Sequence, residues 1–274
     1  MVNKSNTSRI IIGVVCAAIF FFPVYAVAIG GFKTNGQLLN DPFGLPNPAT
    51  FEAYKMILLK SADFWVFLGN SVVVSGLVIL LTLVTAIPAA LAISRIEFRG
   101  NKFFYNFFIM GMLFPITVAI LPLYLQLRNF GLLGTRLGLI LSQAAFSLPM
   151  SIFIMTGFFK DIPKDLQEAV YIDGGTFFTF GFKIILPLSS PVISTVTIIT
   201  LIQSWNQFLM PLLVLNDTNK FTIPLGIMQF QGQFTTNWNQ IMAFITIALL
   251  PMVLLYIFLQ KYIISGLTAG AVKG

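Results

Sequence analysis

A polar segment with two adjacent glycines lies between two strongly apolar stretches in the second half of this chain. Residues 164–173 have a helix-forming composition in which apolar side chains are mixed with charged ones, Glu168 among them. One face of such a helix can dock on the rest of the protein while the charged face stays in water or binds a partner. Gly174 and Gly175 then break the helix, and Thr176 can cap a second short helix rich in phenylalanine. A partner that binds this polar segment could therefore move the two apolar stretches that flank it.

A second set of polar residues lies within an otherwise apolar stretch and consists of amides around a tryptophan: Gln203, Trp205, Asn206 and Gln207. Unpaired amides are costly in lipid, so this face should point to the interior of a helix bundle or to a water-filled cavity. Amides and stacked aromatic rings bind neutral ligands rich in hydroxyl groups, such as sugars. Amides that join two helices explain these residues almost as well. Asn70 and Gln143 are weaker candidates, for which hydrogen bonding between helices is the favoured interpretation.

Several classes of chemistry are excluded by residues that the sequence lacks. The chain contains no histidine, so a Ser-His or His-Asp catalytic pair cannot form, and no cluster has metal-ligand spacing. The G-x-x-x-x-G-K-[ST] loop that binds nucleotide phosphates is absent. The apolar stretches hold no ionisable residue in their centres, which argues against a transporter driven by protons or ions. We therefore expect no enzyme activity, metal or cofactor in this chain, and any ATPase would be another chain.

Composition places the chain in a membrane. Its 274 residues are 57% hydrophobic and 9% charged, with a mean hydropathy of +0.90, which is too apolar for a soluble domain. A helix needs about 20 apolar residues to cross the hydrocarbon core. Stretches of that length lie at roughly 10–29, 72–93, 104–125, 137–159, 190–213 and 242–263. We predict an all-α integral membrane protein with six transmembrane helices, in a single domain over residues 1–274.

Basic residues set the predicted orientation. Six spans place both ends on one side, and if that side is the cytoplasm, ten of the 16 Lys and Arg residues lie inside and six outside. This excess favours cytoplasmic termini. The net charge of +7 is spread over short loops without an aromatic-basic platform, which indicates contact with anionic membrane lipid rather than with nucleic acid.

The first apolar stretch has a second interpretation. Lys4 and Arg9 precede it, and residues 26–28 (Ala-Val-Ala) resemble a signal-peptide cleavage site. The stretch is longer than a usual signal core, and its removal would leave five spans, so we expect it to be retained. Cys16, the one cysteine, is expected to be a small buried hydrophobe rather than part of a disulfide.

The polar segment also carries a signature, formed by Glu168, Ala169, Gly174, Ile184, Leu186 and Pro187. Its pattern of E-A-A, three residues, G, nine residues and I-x-L-P resembles that of the membrane-spanning subunits of binding-protein-dependent ABC importers. Val170 stands where the family usually has alanine, and Gly175 where alanine or glycine is usual. Residues 94–100, 204–208 and 266–274 extend the resemblance over nearly the whole chain. Together they look like the carbohydrate-uptake branch and its second, maltose-type permease subunit.

The resemblance implies a type I ABC importer permease, a multi-pass protein of the cytoplasmic (inner) cell membrane. A cytoplasmic coupling loop over residues 160–187 would contact an ATPase. The residues expected at that contact are Glu168, Ala169, Asp173, Gly174, Gly175, Leu186 and Pro187. In the family the acidic residue lies near a basic group of the ATPase, and the glycine permits a tight turn. The cytoplasmic tail 265–274 would reach the ATPase interface.

Further partners follow from the same resemblance. A second, related permease subunit would complete the pathway, and two ATP-binding subunits would bind ATP and Mg²⁺. An extracytoplasmic sugar-binding protein would face residues 32–63. The expected cargo is a di- or oligosaccharide, with a glycerol-phosphate ester as an alternative. A stand-alone facilitator or channel for a neutral solute also fits the uncharged spans, but it has no need of the signature or the tail.

Overall fold

Helices make up most of the chain. The computed structural model describes residues 4–230 and 236–271, with side chains described for 9–230 and 236–258. In chain order the α-helices are α1 (Lys4–Gly30), α2 (Asn35–Asn40), α3 (Glu52–Lys55), α4 (Asp63–Arg95), α5 (Asn101–Met112), α6 (Ile116–Asn129), α7 (Arg136–Asp161), α8 (Asp165–Ile172), α9 (Phe177–Thr179), α10 (Leu186–Leu188), α11 (Ser190–Trp205), α12 (Leu209–Val214), α13 (Ile223–Gly226) and α14 (Trp238–Ala271). Between them, in the described part, lie the π-helices Met56–Lys60 and Phe180–Ile185 and the 3₁₀ turns Thr218–Lys220 and Ile227–Phe230. The predicted all-helical fold class is confirmed.

Among the described helices, four are long and apolar enough to cross a membrane by themselves: Arg9–Gly30 of α1, α4, α7 and Trp238–Phe258 of α14. Two further pairs meet the same criteria of length and composition only when each pair is taken together. α5 and α6 are bent by 103° at their junction, and Phe177–Leu188 and α11 are bent by 73°. The number of helical spans therefore reaches six when each bent pair forms one span.

Proline explains the break between α5 and α6, which falls inside the predicted span 104–125. Pro115 lies just before α6 with φ −67° and ψ 131°. Proline has no N–H and disfavours helical backbone at the residue before it, here Phe114. The predicted span 190–213 also contains a break, because α11 ends at Trp205 and α12 begins only at Leu209. Hydropathy detects the apolar length of these stretches but not the bends.

The described chain divides into two compact units. The first comprises the described residues within 1–68 and 225–254. In its interior the rings of Phe64 and Phe244 meet edge to face, with centroids 5.5 Å apart. The Tyr54 hydroxyl donates to a backbone carbonyl of α1 at 3.0 Å, which attaches α3 to that helix.

The second unit comprises the described residues within 69–224 and 255–274. Its apolar core draws buried side chains from four elements: Ala86 and Ala90 of α4, Met155 and Phe159 of α7, Phe180 and Ile185 of the second π-helix, and Val192 and Val196 of α11. Small residues such as the alanines of α4 let helices approach closely. The core therefore fixes the segment that follows α8 to three helices of the unit.

Many apolar side chains outside this core are exposed, as expected where lipid or another subunit covers a surface. Residues 9–24 of α1 are exposed, and Cys16 is exposed with them. The prediction of a buried Cys16 was therefore wrong. At the other end, α14 continues to Ala271, so residues 265–271 of the predicted tail are helical, and residues 272–274 lie outside the described residues.

Candidate functional site

The first half of the predicted coupling loop is the short helix α8, whose charged face is free. Asp165 and Glu168 lie in its first turn, where the helix dipole favours negative charge. Glu168 is exposed, and among the described residues its carboxylate has no hydrogen-bond or ion-pair partner. Ala169 and, at the other end of the helix, Asp173 are exposed too. The first turn of α8 therefore presents an acidic surface that a basic group of another chain can approach.

The turn after α8 depends on Gly174. Its φ of +77° lies in the left-handed region, and its N–H donates to the Tyr171 carbonyl at 3.1 Å, while the Gly175 N–H donates to the Val170 carbonyl at 2.8 Å. A Cβ added at position 174 would meet nothing within 4 Å. Glycine is favoured here by backbone conformation alone and not by lack of space. The predicted helix break at this position is observed.

Gly175 is needed for a different reason. A Cβ at position 175 would lie 2.5 Å from Cγ1 of Val170 and 2.8 Å from the Val170 carbonyl oxygen. The Val170 side chain in turn packs against the apolar core. The Val170 carbonyl oxygen belongs to the backbone and cannot yield as a side chain can, so the local fold favours glycine at position 175 whichever residue stands at 170.

The chain returns to the apolar core through a short helical segment that contains a π-helix. Thr176 caps α9 by accepting from the Thr179 N–H at 3.3 Å, which confirms the predicted cap. The π-helix Phe180–Ile185 and α10 follow without interruption, and α10 contains Leu186, which is half-buried, and Pro187, which is exposed. Both signature residues thus lie where the segment turns by 73° into α11.

A groove brings together two of the stretches that carry the family resemblance. Residues 94–102 face α8 across an open cavity of about 910 Å³, whose wall on the helix side is formed by Lys164, Gln167, Glu168 and Tyr171. Sequence reasoning treated residues 94–100 and the coupling loop as separate likenesses and did not predict this contact. Charged side chains of both signs border this groove, among them Glu97 and Glu168 and, opposite in charge, Arg99 and Lys164.

Arg95 borders this groove and bonds to neighbouring elements. Its role was not predicted from the sequence. Its Nη2 donates to the carbonyl oxygens of Phe159 and of Ile162, the latter at 2.6 Å. Its guanidinium carbon lies 5.8 Å from the centroid of the Phe180 ring. One side chain thus joins the ends of α4 and α7 to the start of the π-helix. The available signal was a single arginine at the very end of an apolar stretch.

A second, polar cavity of about 260 Å³ lies between the first half of α7 and the C-terminal end of α11, at the ends of these helices that are farther from Arg95. Its wall includes Gln143, Phe146, Ser147, Gln203, Ser204 and Gln207. The Ser204 hydroxyl donates to Oε1 of Gln143 at 2.5 Å and joins the two helices. Three of the predicted pathway amides are therefore brought together, while Phe146 was not predicted.

The remaining pathway candidates do not border this cavity. Trp205 is buried at 5% exposure and does not border the cavity. Asn206 is exposed, and its amide donates to the Ile202 carbonyl at 2.9 Å. The Asn70 amide donates to the carbonyls of Asn219 and Phe221, both at 2.9 Å. Asn70 therefore anchors α4 to a loop, whereas hydrogen bonding between helices was the interpretation favoured for it.

The coupling loop and both cavities lie within a range that matches a known protein family. Residues 82–268 match the family described as the binding-protein-dependent transport system inner membrane component. The chain belongs to this family. The matched range contains α8, the Gly174 turn, the groove and the polar cavity, and the family predicted from the signature is confirmed. A member of this family is a component of a transport system in the inner membrane.

Curated relatives align along almost the entire chain. A putative ABC transporter permease protein of Caldicellulosiruptor sp. is 39% identical over 92% of this chain and 91% of its own length. The trehalose/maltose transport system permease protein MalG of Thermococcus litoralis is 35% identical over 97% and 96%. The diacetylchitobiose uptake system permease protein NgcG of Streptomyces coelicolor is 33% identical over 94% and 85%.

A solved structure shares the fold. A chain of a bacterial ABC transporter involved in the import of the acidic polysaccharide alginate superposes with a TM-score of 0.82, covering 96% of this chain and 99% of that one at 21% identity. The architecture of an ABC importer permease is thereby confirmed.

Proposed function

We propose that this chain is the transmembrane permease subunit of an ATP-driven ABC importer for a di- or oligosaccharide. The observation that carries the proposal is α8, with its unpartnered Glu168 and its Gly174 turn, held on a core shared by α4, α7 and α11. The saccharide class is supported by relatives named for trehalose, maltose and diacetylchitobiose. The polar cavity adds support, because the residues in its wall include no Lys or Arg that would bind a glycerol-phosphate ester.

In this proposal an ATPase subunit docks in the groove between α8 and residues 94–102. Glu168 would receive a basic group of that subunit, since a charge-assisted hydrogen bond is about twice as strong as a neutral one. ATP and Mg²⁺ would be bound by the ATPase and not by this chain. The permease chain then has no catalytic role and responds mechanically when two ATPase subunits close.

The core provides the route by which that movement reaches the cargo pathway. Phe159 of α7 lies in the core beside the coupling loop, and Gln143 of the same helix borders the polar cavity. The two residues are 16 positions apart, or about 24 Å along a helix. α11 also runs from the core, at Val192, to the cavity, at Ser204. A displacement of the coupling loop would therefore move both walls of the cavity.

The remaining parts of the proposed complex lie around this chain. A second, related permease subunit would form the other half of the pathway, and an extracytoplasmic sugar-binding protein would face the segment containing α2 and α3. Both termini would be cytoplasmic, as the distribution of basic residues favours, so that the end of α14 points toward the ATPases.

Transport in a reconstituted system tests the proposal. The complex purified through a tag on this chain is placed in proteoliposomes loaded with ATP, and the binding protein and radiolabelled trehalose, maltose or diacetylchitobiose are added outside. The expected result is uptake of at least one sugar that requires both ATP and the binding protein. Uptake by this chain alone without ATP would instead indicate a facilitator, and no uptake in any condition would contradict the saccharide assignment.

Replacing Arg95 with methionine is expected to reduce ATP-dependent uptake about tenfold and to lower Tm. Two carbonyl groups lose a charged donor, and hydrogen bonds to charged groups contribute about 1.5–3 kcal/mol each. Arg95→Lys should recover only part of the loss, because an ammonium lacks the planar fork. The control is Arg9→Met, which removes the same charge from an exposed side chain. If Arg95→Met and Arg9→Met transport equally well, the positioning role of Arg95 is wrong.

A further inference from the structure

The amides around the polar cavity are not satisfied by the protein. The side chains of Gln203 and Gln207 have no hydrogen-bond partner among the described residues. Gln143 is only 4% exposed, and its Nε2 has no partner although its Oε1 accepts from Ser204. Unpaired amides are costly when water is excluded. The buried, unpaired Nε2 of Gln143 therefore indicates a polar occupant. The amides of Gln203, which is exposed, and Gln207, which is half-buried, are open to the same ligand.

The chemistry of the wall defines that occupant. Amides both donate and accept hydrogen bonds, as hydroxyl groups do, and the Ser204 hydroxyl can pair with either end of the Gln143 amide. Phe146 adds an aromatic ring to the same wall, against which the C–H face of a sugar ring can pack. No charged residue is among those in the wall. The combination suits a neutral ligand rich in hydroxyl groups.

The size of the cavity limits how much of a saccharide it can hold. Its volume of about 260 Å³ is below the roughly 300–1,000 Å³ of sites that enclose a drug-sized ligand. We infer that this cavity is a subsite for one ring of the transported saccharide, with Gln143, Gln203 and Gln207 bonding ring hydroxyls and Phe146 packing on the ring. This inference rests on the proposed importer function and assigns direct sugar contact to this subunit.

Uptake by the complete complex in proteoliposomes tests the subsite, with Gln207→Met and Gln143→Met as variants. Methionine keeps the length of the side chain and removes its hydrogen bonds. The probe is whichever of radiolabelled trehalose, maltose and diacetylchitobiose the wild-type complex carries. Each variant is expected to lower the uptake rate about 5- to 10-fold while the ATPase rate stimulated by the loaded binding protein is retained, because the binding protein and the coupling loop are unchanged.

Two further variants separate sugar contact from a structural effect. Gln126→Met makes the same replacement on α6 at an exposed amide away from the cavity and should transport like wild type. Ser204→Ala breaks the hydrogen bond between α7 and α11 but leaves every cavity amide in place, so it should reduce uptake less than Gln143→Met does.

Each result has a distinct meaning. Normal uptake by Gln207→Met and Gln143→Met in a complex that transports sugar would overturn the subsite and leave the importer function standing. An effect of Ser204→Ala equal to that of Gln143→Met would also overturn it, since loss of the helix contact would then explain both. A wild-type complex that carries no sugar of the panel would overturn the proposed function and the subsite together.

Discussion

Replacing Gly174 with valine is expected to lower ATP-dependent uptake by about 5- to 30-fold without loss of the protein from the membrane. A left-handed conformation costs a residue with a Cβ about 1–2 kcal/mol, which corresponds to that factor in a conformational equilibrium, and a β-branched residue fares worse. Position 174 has φ +77°. Valine would therefore drive the turn into another conformation and displace α8 relative to residues 94–102, which form the other wall of the groove. The measurement is uptake in proteoliposomes, normalised to the amount of complex.

A matched replacement isolates the backbone effect. Gly157 on α7 also has nothing within 4 Å of an added Cβ, but its φ lies outside the left-handed region, so Gly157→Val should leave uptake near the wild-type value. Gly174→Asn should lie between Gly174→Val and wild type, because asparagine tolerates the left-handed region better than other residues with a Cβ. Equal uptake by Gly174→Val and Gly157→Val would show that the turn has no role in coupling.

The Gly174 turn also shows what the sequence could predict. Glycine pairs after an amphipathic segment end a helix for local reasons, and a threonine before a short helix caps it for local reasons. Both features were predicted because they depend on residues a few positions apart. The reason for glycine at position 175 is local as well, but the sequence does not show it, since it depends on the distance between an added Cβ and the Val170 carbonyl oxygen.

The polar cavity shows where sequence reasoning was less successful. Gln203, Trp205, Asn206 and Gln207 were assigned together. Gln203 and Trp205 lie two positions apart in α11, which places them on different sides of the helix. Because α11 ends at Trp205, helical periodicity does not predict the direction of Asn206 and Gln207. Trp205 turned into the interior and Asn206 outward. Asn70 illustrates a second limit, because the carbonyls that it binds lie about 150 positions later in the chain, and no local pattern announces them.

Neither the groove nor the role of Arg95 could be predicted from the sequence, for a related reason. Each depends on the packing of α4 against α7 and the coupling loop, which brings together residues far apart in sequence. We expect the same packing to make the coupling loop stiff, because Phe180 and Ile185 of the loop are buried in the core. A loop that was merely attached at its two ends could absorb the motion of an ATPase by flexing, whereas a loop with its own buried side chains must carry the helices along.

Phe180 provides the sharpest test of that stiffness. Its side chain is 0% exposed within the core and lies beneath the Arg95 guanidinium, at the start of the π-helix that links α9 to α10. Truncating a buried phenylalanine to alanine typically costs about 3–5 kcal/mol. Phe180→Ala is therefore expected to reduce uptake more than tenfold and to lower Tm. At the same time, ATP hydrolysis by the complex should lose its dependence on the loaded binding protein, because the loop could then move without the helices.

The control for Phe180→Ala is Phe153→Ala. Phe153 lies on α7 and is 43% exposed, so the same truncation there leaves no enclosed cavity and should change uptake little. The decisive comparison is the ratio of sugar transported to ATP hydrolysed, since a general loss of stability lowers both quantities and keeps their ratio constant. A ratio that falls in Phe180→Ala but not in Phe153→Ala would locate the transmission of force at this core. An unchanged ratio in Phe180→Ala would mean that the coupling loop transmits force through its chain connections alone.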